Sequence, residues 1–175
     1  MSDQYEKNEV ESDEASEQPK KVKISYVGLG VHPDPVFKSV AVAKLVNTVM
    51  LDGRKYAASR VVYDALEIIA SKVTDKDPVA VLEEALDNVK PLVEVRSKRV
   101  GGATYQIPRE VPARRQMVLA YRWIKEAFRK KKGRRSSERL ASEILDAYNK
   151  QGTAMTVREN THKMAEANKA FAYYA

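Results

Sequence analysis

The sequence predicts an all-α protein, a bundle of about six helices with one protruding β-hairpin between helices three and four. Apolar residues recur at the i, i+3, i+4, i+7 spacing of a helix face through most of the chain after residue 36. One central segment, at about residues 92–111, instead reads as two strands joined by Gly-Gly. With 175 residues the chain suffices for one well-buried domain, predicted over residues 21–175.

The first 20 residues are predicted to form an acidic disordered tail. Residues 1–18 contain seven acidic side chains and a single lysine, for a net charge of −6. So few apolar side chains cannot offset the entropy of ordering the segment. From Lys20 the sequence turns basic and apolar, with glycines and prolines that indicate an extended lead-in and no long helix before Val36.

Helices one to three are predicted from their apolar faces and from their ends. The turn Asp52–Lys55 ends the first helix, and its glycine allows the second to fold back. Asp77 as N-cap and Pro78 at the first helical position start the third helix, and Pro91 stops it. The predicted buried faces are Val42, Leu45, Val46, Val49 and Met50; then Ala58, Val61, Val62, Ala65, Leu66 and Ile69; then Leu82, Ala85, Leu86 and Val89.

The hairpin is predicted from "RSKRVGGATYQIPREV", residues 96–111, in which paired glycines supply the positive φ angles of a two-residue turn. A lone two-stranded ribbon is marginally stable, so the helical body, a partner or both must hold it. Tyr105 either stacks on a nucleobase or covers the apolar strip of the ribbon. The alternation predicts a charged outer surface of Arg96, Lys98, Arg99 and Arg109 on an apolar strip of Val95, Val100, Tyr105 and Ile107.

The last three helices complete the bundle. The fourth starts at about Pro112, and the basic stretch Arg129–Arg135 after it is predicted to be a solvated bend. Ser136 or Ser137 is expected to cap the fifth helix, which Gly152 closes, and the capping-box spacing at Thr156 is expected to start the sixth. The sixth helix is expected to run through Met164, Ala165 and Phe171. The inward residues of the fourth and fifth helices are Met117, Ala120, Tyr121, Ile124, Ala127 and Phe128, with Trp123 partly in the core, and Leu140, Ala141, Ile144, Leu145 and Tyr148.

Several classes of function lack their sequence signals. The chain has no cysteine, which excludes disulfides and thiolate zinc sites. It has no apolar run long enough to span a bilayer and no secretory signal segment. Glu159 and His162 have the i, i+3 spacing of a di-metal helix, but a second Glu-x-x-His is missing. We therefore expect no metal, no cofactor and no enzymatic activity, with the histidines at a surface or an interface.

The charge distribution points to a polyanionic partner. The whole chain carries +7, so the part after the acidic segment carries +13. Any single basic run is ordinarily a solvated surface, but four groups at turns, on the ribbon and at helix ends favour a bound polyanion. Cationic clusters spread around a helical body suit a folded RNA. The groups are Arg54 with Lys55, Arg96 to Arg99, Arg114 with Arg115, and Arg129 to Arg135.

Four stretches closely resemble the bacterial-type members of the seventh small-subunit ribosomal protein family. They are "VYDALEII", "LDNVKPLVEVRSKRVGGATYQIPREV", "RLASEILDAY" and "RENTHKMAEANKAFAYY", and the resemblance runs from about Pro35 to Tyr174. It implies a helical bundle with a protruding hairpin, and a structural, cytoplasmic constituent of the small ribosomal subunit. It further implies direct binding of ribosomal RNA, nucleation of the subunit head, and a position at the interface near the transfer-RNA exit site and the messenger path.

The resemblance also implies which residues contact RNA and which proteins lie nearby. The neighbours would be head and platform proteins of the ninth and eleventh families, and the tip Gly101, Gly102 and Tyr105 would approach the exit-site transfer RNA. A basic helical scaffold acting outside the ribosome is the alternative. The expected RNA-binding residues are Lys21, Lys23, Arg54, Lys55, Arg96, Lys98, Arg99, Arg109, Arg114, Arg115, Lys130, Lys131, Lys132, Arg134, Arg135 and Ser136. Members of the family usually begin with a short basic segment that contacts RNA, whereas this chain begins with an acidic tail. Lys21 and Lys23 are expected to substitute for that segment.

Overall fold

A computed structural model describes residues 31–174, which form six α-helices with one antiparallel hairpin between the third and fourth. This confirms the predicted fold class. The acidic tail, Lys21 and Lys23 lie outside the described residues. The elements are α1 (Val40–Val49), α2 (Lys55–Lys72), α3 (Pro78–Val89), β1 (Val93–Val100), β2 (Ala103–Glu110), α4 (Ala113–Lys130), α5 (Ser136–Tyr148), α6 (Thr153–Ala167) and a C-terminal 3₁₀ helix (Lys169–Tyr174).

The core lies among the helices, with α5 packed against α2, α3 and α4. Its largest fully buried side chains include Leu45, Leu66 and Tyr121, whose hydroxyl donates a hydrogen bond to the Ala41 carbonyl at 3.1 Å. The predicted faces are largely confirmed. Met50, Val61, Leu145, Tyr148 and Trp123 are partly buried against the core. The prediction that the sixth helix runs through Phe171 was wrong, because α6 ends at Ala167 and Phe171 lies in the 3₁₀ helix.

Helix starts differ from the predicted capping chemistry. Pro78 is the first residue of α3 as expected, but the Asp77 side chain makes no capping hydrogen bond. Ser136 is the first helical residue of α5, so neither serine is its N-cap. Arg135 holds that position in extended backbone, with φ −59° and ψ 151°. The serine prediction was wrong because the connection extends one residue less than expected.

The sixth helix begins three residues before the predicted start at Thr156. Gly152 is its N-cap residue, with φ 91°. The Thr156 hydroxyl donates to the Gly152 carbonyl at 3.1 Å, a bond back into the preceding turn. The N–H of Ala154 donates instead to the buried Glu143 carboxylate at 3.0 Å. A side chain from α5 therefore caps this helix, which no local pattern in the sequence indicates.

The hairpin has the predicted turn but not the predicted faces. Val100 pairs with Ala103 around Gly101 and Gly102, whose φ angles of 59° and 91° suit a type I′ turn. Arg96 lies opposite Ile107, and Lys98 opposite Tyr105. Directly opposite residues project from the same face of a ribbon. Charged and apolar side chains therefore share one face, and the predicted separation into a charged surface and an apolar strip was wrong.

The base of the hairpin is held by the helical body, with β1 packed on α6 and β2 on the 3₁₀ helix. Ile107 is buried there. The N–H of Leu92 donates to His162 Nε2 at 3.1 Å, and the N–H of Val111 donates to the Leu92 carbonyl at 3.0 Å. Burial, and then the charge of Arg158, lower the pKa of His162, which favours the neutral imidazole needed as acceptor. This histidine anchors the ribbon.

Candidate nucleic-acid interface

Most of the predicted basic residues within the described part of the chain gather at the two ends of α4. Arg114 and Arg115 lie at its start beside the hairpin, and Arg129 and Lys130 lie at its end. Eighteen helical residues separate the two ends by about 27 Å. We define the hairpin group as Arg96, Lys98, Arg99, Arg109, Arg114 and Arg115. We define the connection group as Arg54, Arg129, Lys130, Lys132, Arg134, Arg135, Ser136 and Arg139.

A buried carboxylate organises the hairpin group. The Nε atoms of Arg96 and Arg115 each lie 2.8 Å from the carboxylate of Glu94, which is 8% exposed. Burial alone would raise the pKa of Glu94, but the hydrogen bonds from Arg115 and Arg96 outweigh it and lower the pKa. Both guanidinium groups remain about half exposed, so their outer N–H donors can still reach a phosphate.

The rest of the hairpin group is exposed: Lys98, Arg99, Arg109 and Arg114. Nearby, Lys44 lies 5.6 Å from the centroid of the Tyr121 ring. Burial, and then the charge of Arg114, lower the pKa of Lys44, so Lys44 is a further cation close to Arg114 at this end of α4. Lys44 was not predicted as a site residue, because a single lysine within an apolar helix gives no sequence signal.

At the other end of α4, residues of the connection group that are far apart in the sequence come together. Arg54 from the α1–α2 turn and Ser136 from the start of α5 line one cavity of about 340 Å³. Arg129 and Arg139 line the same cavity. Lys55 does not, and lies instead on a separate cavity beside the lead-in at residues 31–35.

Lys131 differs from its basic neighbours. Its Nζ lies 2.8 Å from Glu143 and 2.7 Å from Asp146. Burial would lower the pKa of Lys131, but hydrogen bonds to Asp146 and Glu143 outweigh it and raise the pKa. The prediction of a wholly solvated stretch is wrong here, because this ammonium group neutralises two carboxylates. RNA contact by Lys131 stays a prediction, while Lys130, Lys132, Arg134 and Arg135 are exposed.

Arg139 fixes the shape of the connection. Its Nη1 donates to the Lys131 carbonyl at 2.6 Å and its Nη2 to Ser136 Oγ at 3.1 Å. Arg129 Nη2 similarly donates to the Val49 carbonyl at 3.2 Å and joins the end of α4 to α1. Sequence reasoning missed Arg139. Its one signal is its position four residues after Arg135, one helical turn inside α5.

At the hairpin, Tyr105 is half-buried, with its ring centroid 5.3 Å from that of Phe171. This ring contact joins the ribbon to the 3₁₀ helix, and stacking of Tyr105 on a nucleobase stays a prediction. Gly101 and Gly102 are exposed at the tip. An approach of this tip to transfer RNA stays a prediction.

Within residues 31–174 no helix has both the length and the apolar character of a membrane-spanning segment. The same part of the chain holds no group of three or more histidine or acidic side chains placed to bind a metal ion.

Comparison with known proteins identifies the family. The family model of ribosomal protein S7p/S5e matches residues 21–169. Small ribosomal subunit protein uS7 of Dictyoglomus turgidum is 58% identical over 144 residues, covering 82% of this chain and 92% of the relative. The uS7 protein of Chlorobium phaeobacteroides is 55% identical over 148 residues, covering 85% of this chain and 96% of the relative. The uS7 protein of Pelagibacter ubique is 50% identical over 157 residues, covering 90% of this chain and 95% of the relative. The predicted resemblance is confirmed, and the chain belongs to the S7p/S5e family of ribosomal proteins, a structural and non-enzymatic family.

Proposed function

We propose that this protein binds small-subunit ribosomal RNA directly and nucleates assembly of the subunit head. As a ribosomal protein it acts in the cytoplasm, in the small subunit. The observation that carries the proposal is the placement of the hairpin and connection groups at opposite ends of α4, about 27 Å apart. A ligand that neutralises both groups needs phosphates at both places, and a folded RNA brings several backbones to one protein surface.

Several of these cations are held in position before any ligand arrives. Glu94 fixes Arg96 and Arg115, and backbone carbonyl groups accept hydrogen bonds from Arg129 and Arg139. A side chain that is already ordered loses less entropy on binding than a mobile one. A preorganised surface of this kind favours a specific RNA fold over any available polyanion.

We propose further that the hairpin extends toward the exit-site transfer RNA and a platform protein of the eleventh family. The messenger path and a head protein of the ninth family would lie nearby. The tip supports a close approach, because no heavy atom of the described residues, other than the glycine itself and its chain neighbours, comes within 4 Å of a Cβ built on Gly101 or Gly102. A bare backbone can approach an RNA or protein surface more closely than a tip with side chains.

Chemical footprinting of small-subunit RNA with and without the purified full chain tests the binding proposal. We expect protected nucleotides to cluster in the RNA of the head, and the affinity to fall as salt rises. Reconstitution of the subunit without this protein tests nucleation, because other head proteins should then fail to incorporate. Absence of any RNA binding at low ionic strength would overturn the proposal and favour a scaffold outside the ribosome.

A further inference from the structure

The cavity between the α1–α2 turn and the α4–α5 connection has the features of a nucleotide site. We propose that it takes up a single unstacked nucleotide of the bound RNA, with the base on an apolar floor and the phosphate against the arginines. This inference rests on the proposed function and specifies one of its contacts. The cavity volume of about 340 Å³ is at the small end of the roughly 300–1,000 Å³ typical of ligand pockets. It is therefore too small for a paired helix but suited to one nucleotide.

The polar part of the lining is cationic. Arg54, Arg129 and Arg139 contribute guanidinium groups from three separate segments, and Asp52 contributes the single carboxylate of the lining. Arg139 Nε is buried and has no acceptor among the described residues, although both of its Nη atoms are bonded. Guanidinium groups bind phosphate oxygens through paired, charge-assisted hydrogen bonds. The lining therefore favours an anionic group in spite of Asp52.

Two helices also begin at this cavity. α2 starts at Lys55 and α5 starts at Ser136, and no side chain caps either helix. The first turns of both contribute to the lining, through Ala57, Ala58 and Ser136. The uncapped N–H groups and the positive ends of the two helix dipoles add to the attraction that the arginines exert on a phosphate.

The floor of the cavity explains why a nucleotide fits better than a phosphate group alone. Ala58, Val61 and Phe128 line it, and they are buried or half-buried apolar residues. An apolar floor gains nothing from a hydrated anion, whereas the flat face of a base removes apolar surface from water. Proteins that recognise single-stranded RNA typically bind such splayed-out bases against apolar or aromatic side chains.

Filling the cavity without changing its charge tests the inference. Ala57 is an exposed residue of α2 that lines the cavity, and Ala70 is an exposed residue of the same helix outside that lining. We expect Ala57→Leu to weaken binding of small-subunit RNA about tenfold, with an unchanged salt dependence. One unpaired base that the parent protein protects should regain chemical reactivity, while the surrounding backbone protections remain. Ala70→Leu should leave the affinity and the footprint as they are.

A second pair of variants tests the phosphate contact with little risk to folding, because Arg54 is exposed. Arg54→Ala should weaken binding and lower the salt dependence, and Arg54→Lys should restore part of both. If Ala57→Leu binds with the affinity and footprint of the parent, the nucleotide site is excluded while RNA binding itself stands. If the parent protein gives no footprint at all, the proposed function fails together with the site.

Discussion

Lys131 Nζ lies 2.8 Å from the carboxylate of Glu143, whose side chain is completely buried in α5. The other carboxylate oxygen of Glu143 accepts the N–H of Ala154 at 3.0 Å. A single buried acid therefore joins the residue after α4, the middle of α5 and the start of α6. An isolated buried charge costs several kcal/mol, so the lysine is needed to keep this junction intact.

Replacing Lys131 with methionine should lower the free energy of unfolding by about 3 kcal/mol, because Glu143 is left buried without its counter-charge. Urea denaturation at pH 7 measures the loss. Lys130→Met removes the same charge from an exposed neighbour and should change stability by less than about 0.5 kcal/mol. Equal losses for the two variants would show that the ion pair has no structural role.

The contribution of Lys131 to stability should depend on pH. Since folding raises the pKa of Lys131, this contribution persists below about pH 10.5 and is lost as the pH rises through the folded-state pKa.

The ion-pair cluster of Glu94 with Arg96 and Arg115 should make the stability of the hairpin sensitive to acid. Folding lowers the pKa of Glu94 below its ordinary 4.5. The stability from this carboxylate is therefore fully present above about pH 4.5 and disappears as the pH falls through the lower folded-state value. We expect Glu94→Gln to destabilise the protein by about 1–2 kcal/mol at pH 7, and by less at pH 3.

Thermal or urea unfolding at the two pH values measures this difference. Glu110→Gln is the matched control, because it changes an exposed carboxylate on the other strand of the same hairpin. The control should show little loss at either pH. A Glu94→Gln deficit that stays constant from pH 7 to pH 3 would contradict the proposed titration.

The helices were predictable because each one must bury an apolar face. Leu45 and Val49 belong to such an apolar face in α1, and Ile124 and Phe128 belong to one in α4. Because the apolar residues recur at every helical turn, a single exception does not obscure the pattern. Helix starts carry a much weaker signal. The cap of α6 comes from Glu143, eleven residues before Ala154 in the chain, so no local pattern contains it.

The candidate site was predictable as a set of charges but not as a set of contacts. Composition alone marks Arg96 and Lys131 as equivalent cations, yet one stays half exposed while the other neutralises two carboxylates. The hairpin faces were mispredicted for a similar reason. Alternation along one strand does not specify the register in which the two strands pair. That register places Arg96 opposite Ile107, so both side chains lie on the same face.

The contact between Tyr105 and Phe171 predicts local opening of the hairpin when it is removed. Phe171→Ala should cost about 1 kcal/mol, because this pair of rings stabilises the end of the ribbon against the 3₁₀ helix. Amide hydrogen exchange should accelerate at residues 103–107 and stay unchanged in α2 and α5. Phe171→Tyr retains the ring and should keep the exchange slow. Uniform acceleration throughout the protein would instead indicate global destabilisation.

The exposed arginines of the connection group should contribute to RNA binding mainly through charge. Replacing Arg134 and Arg135 with alanine should weaken the affinity for small-subunit RNA. The slope of log K against log salt should fall by about 0.7–0.9 for each phosphate that the variant no longer neutralises. Titrations at several salt concentrations measure the slope.

Lys72→Ala is the control, because it removes an exposed cation at the far end of α2. It should change neither the affinity nor the slope. An unchanged slope in the double variant would exclude these arginines as RNA-binding residues.

Two glycines with the same backbone angle should differ in their tolerance of a side chain. Gly102 and Gly152 both have φ of 91°. A Cβ at Gly102 meets nothing within 4 Å, whereas one at Gly152 lies 2.8 Å from the Asp146 Cβ. Gly102→Ala should cost about 1 kcal/mol from backbone strain alone. Gly152→Ala combines strain in a backbone conformation that is essentially restricted to glycine (φ 91°, ψ 177°) with overpacking beside the Glu143 junction, and should cost about 3 kcal/mol. Urea unfolding of the two variants under identical conditions measures the difference, and equal losses would show that the α5–α6 turn can shift to accommodate the methyl group.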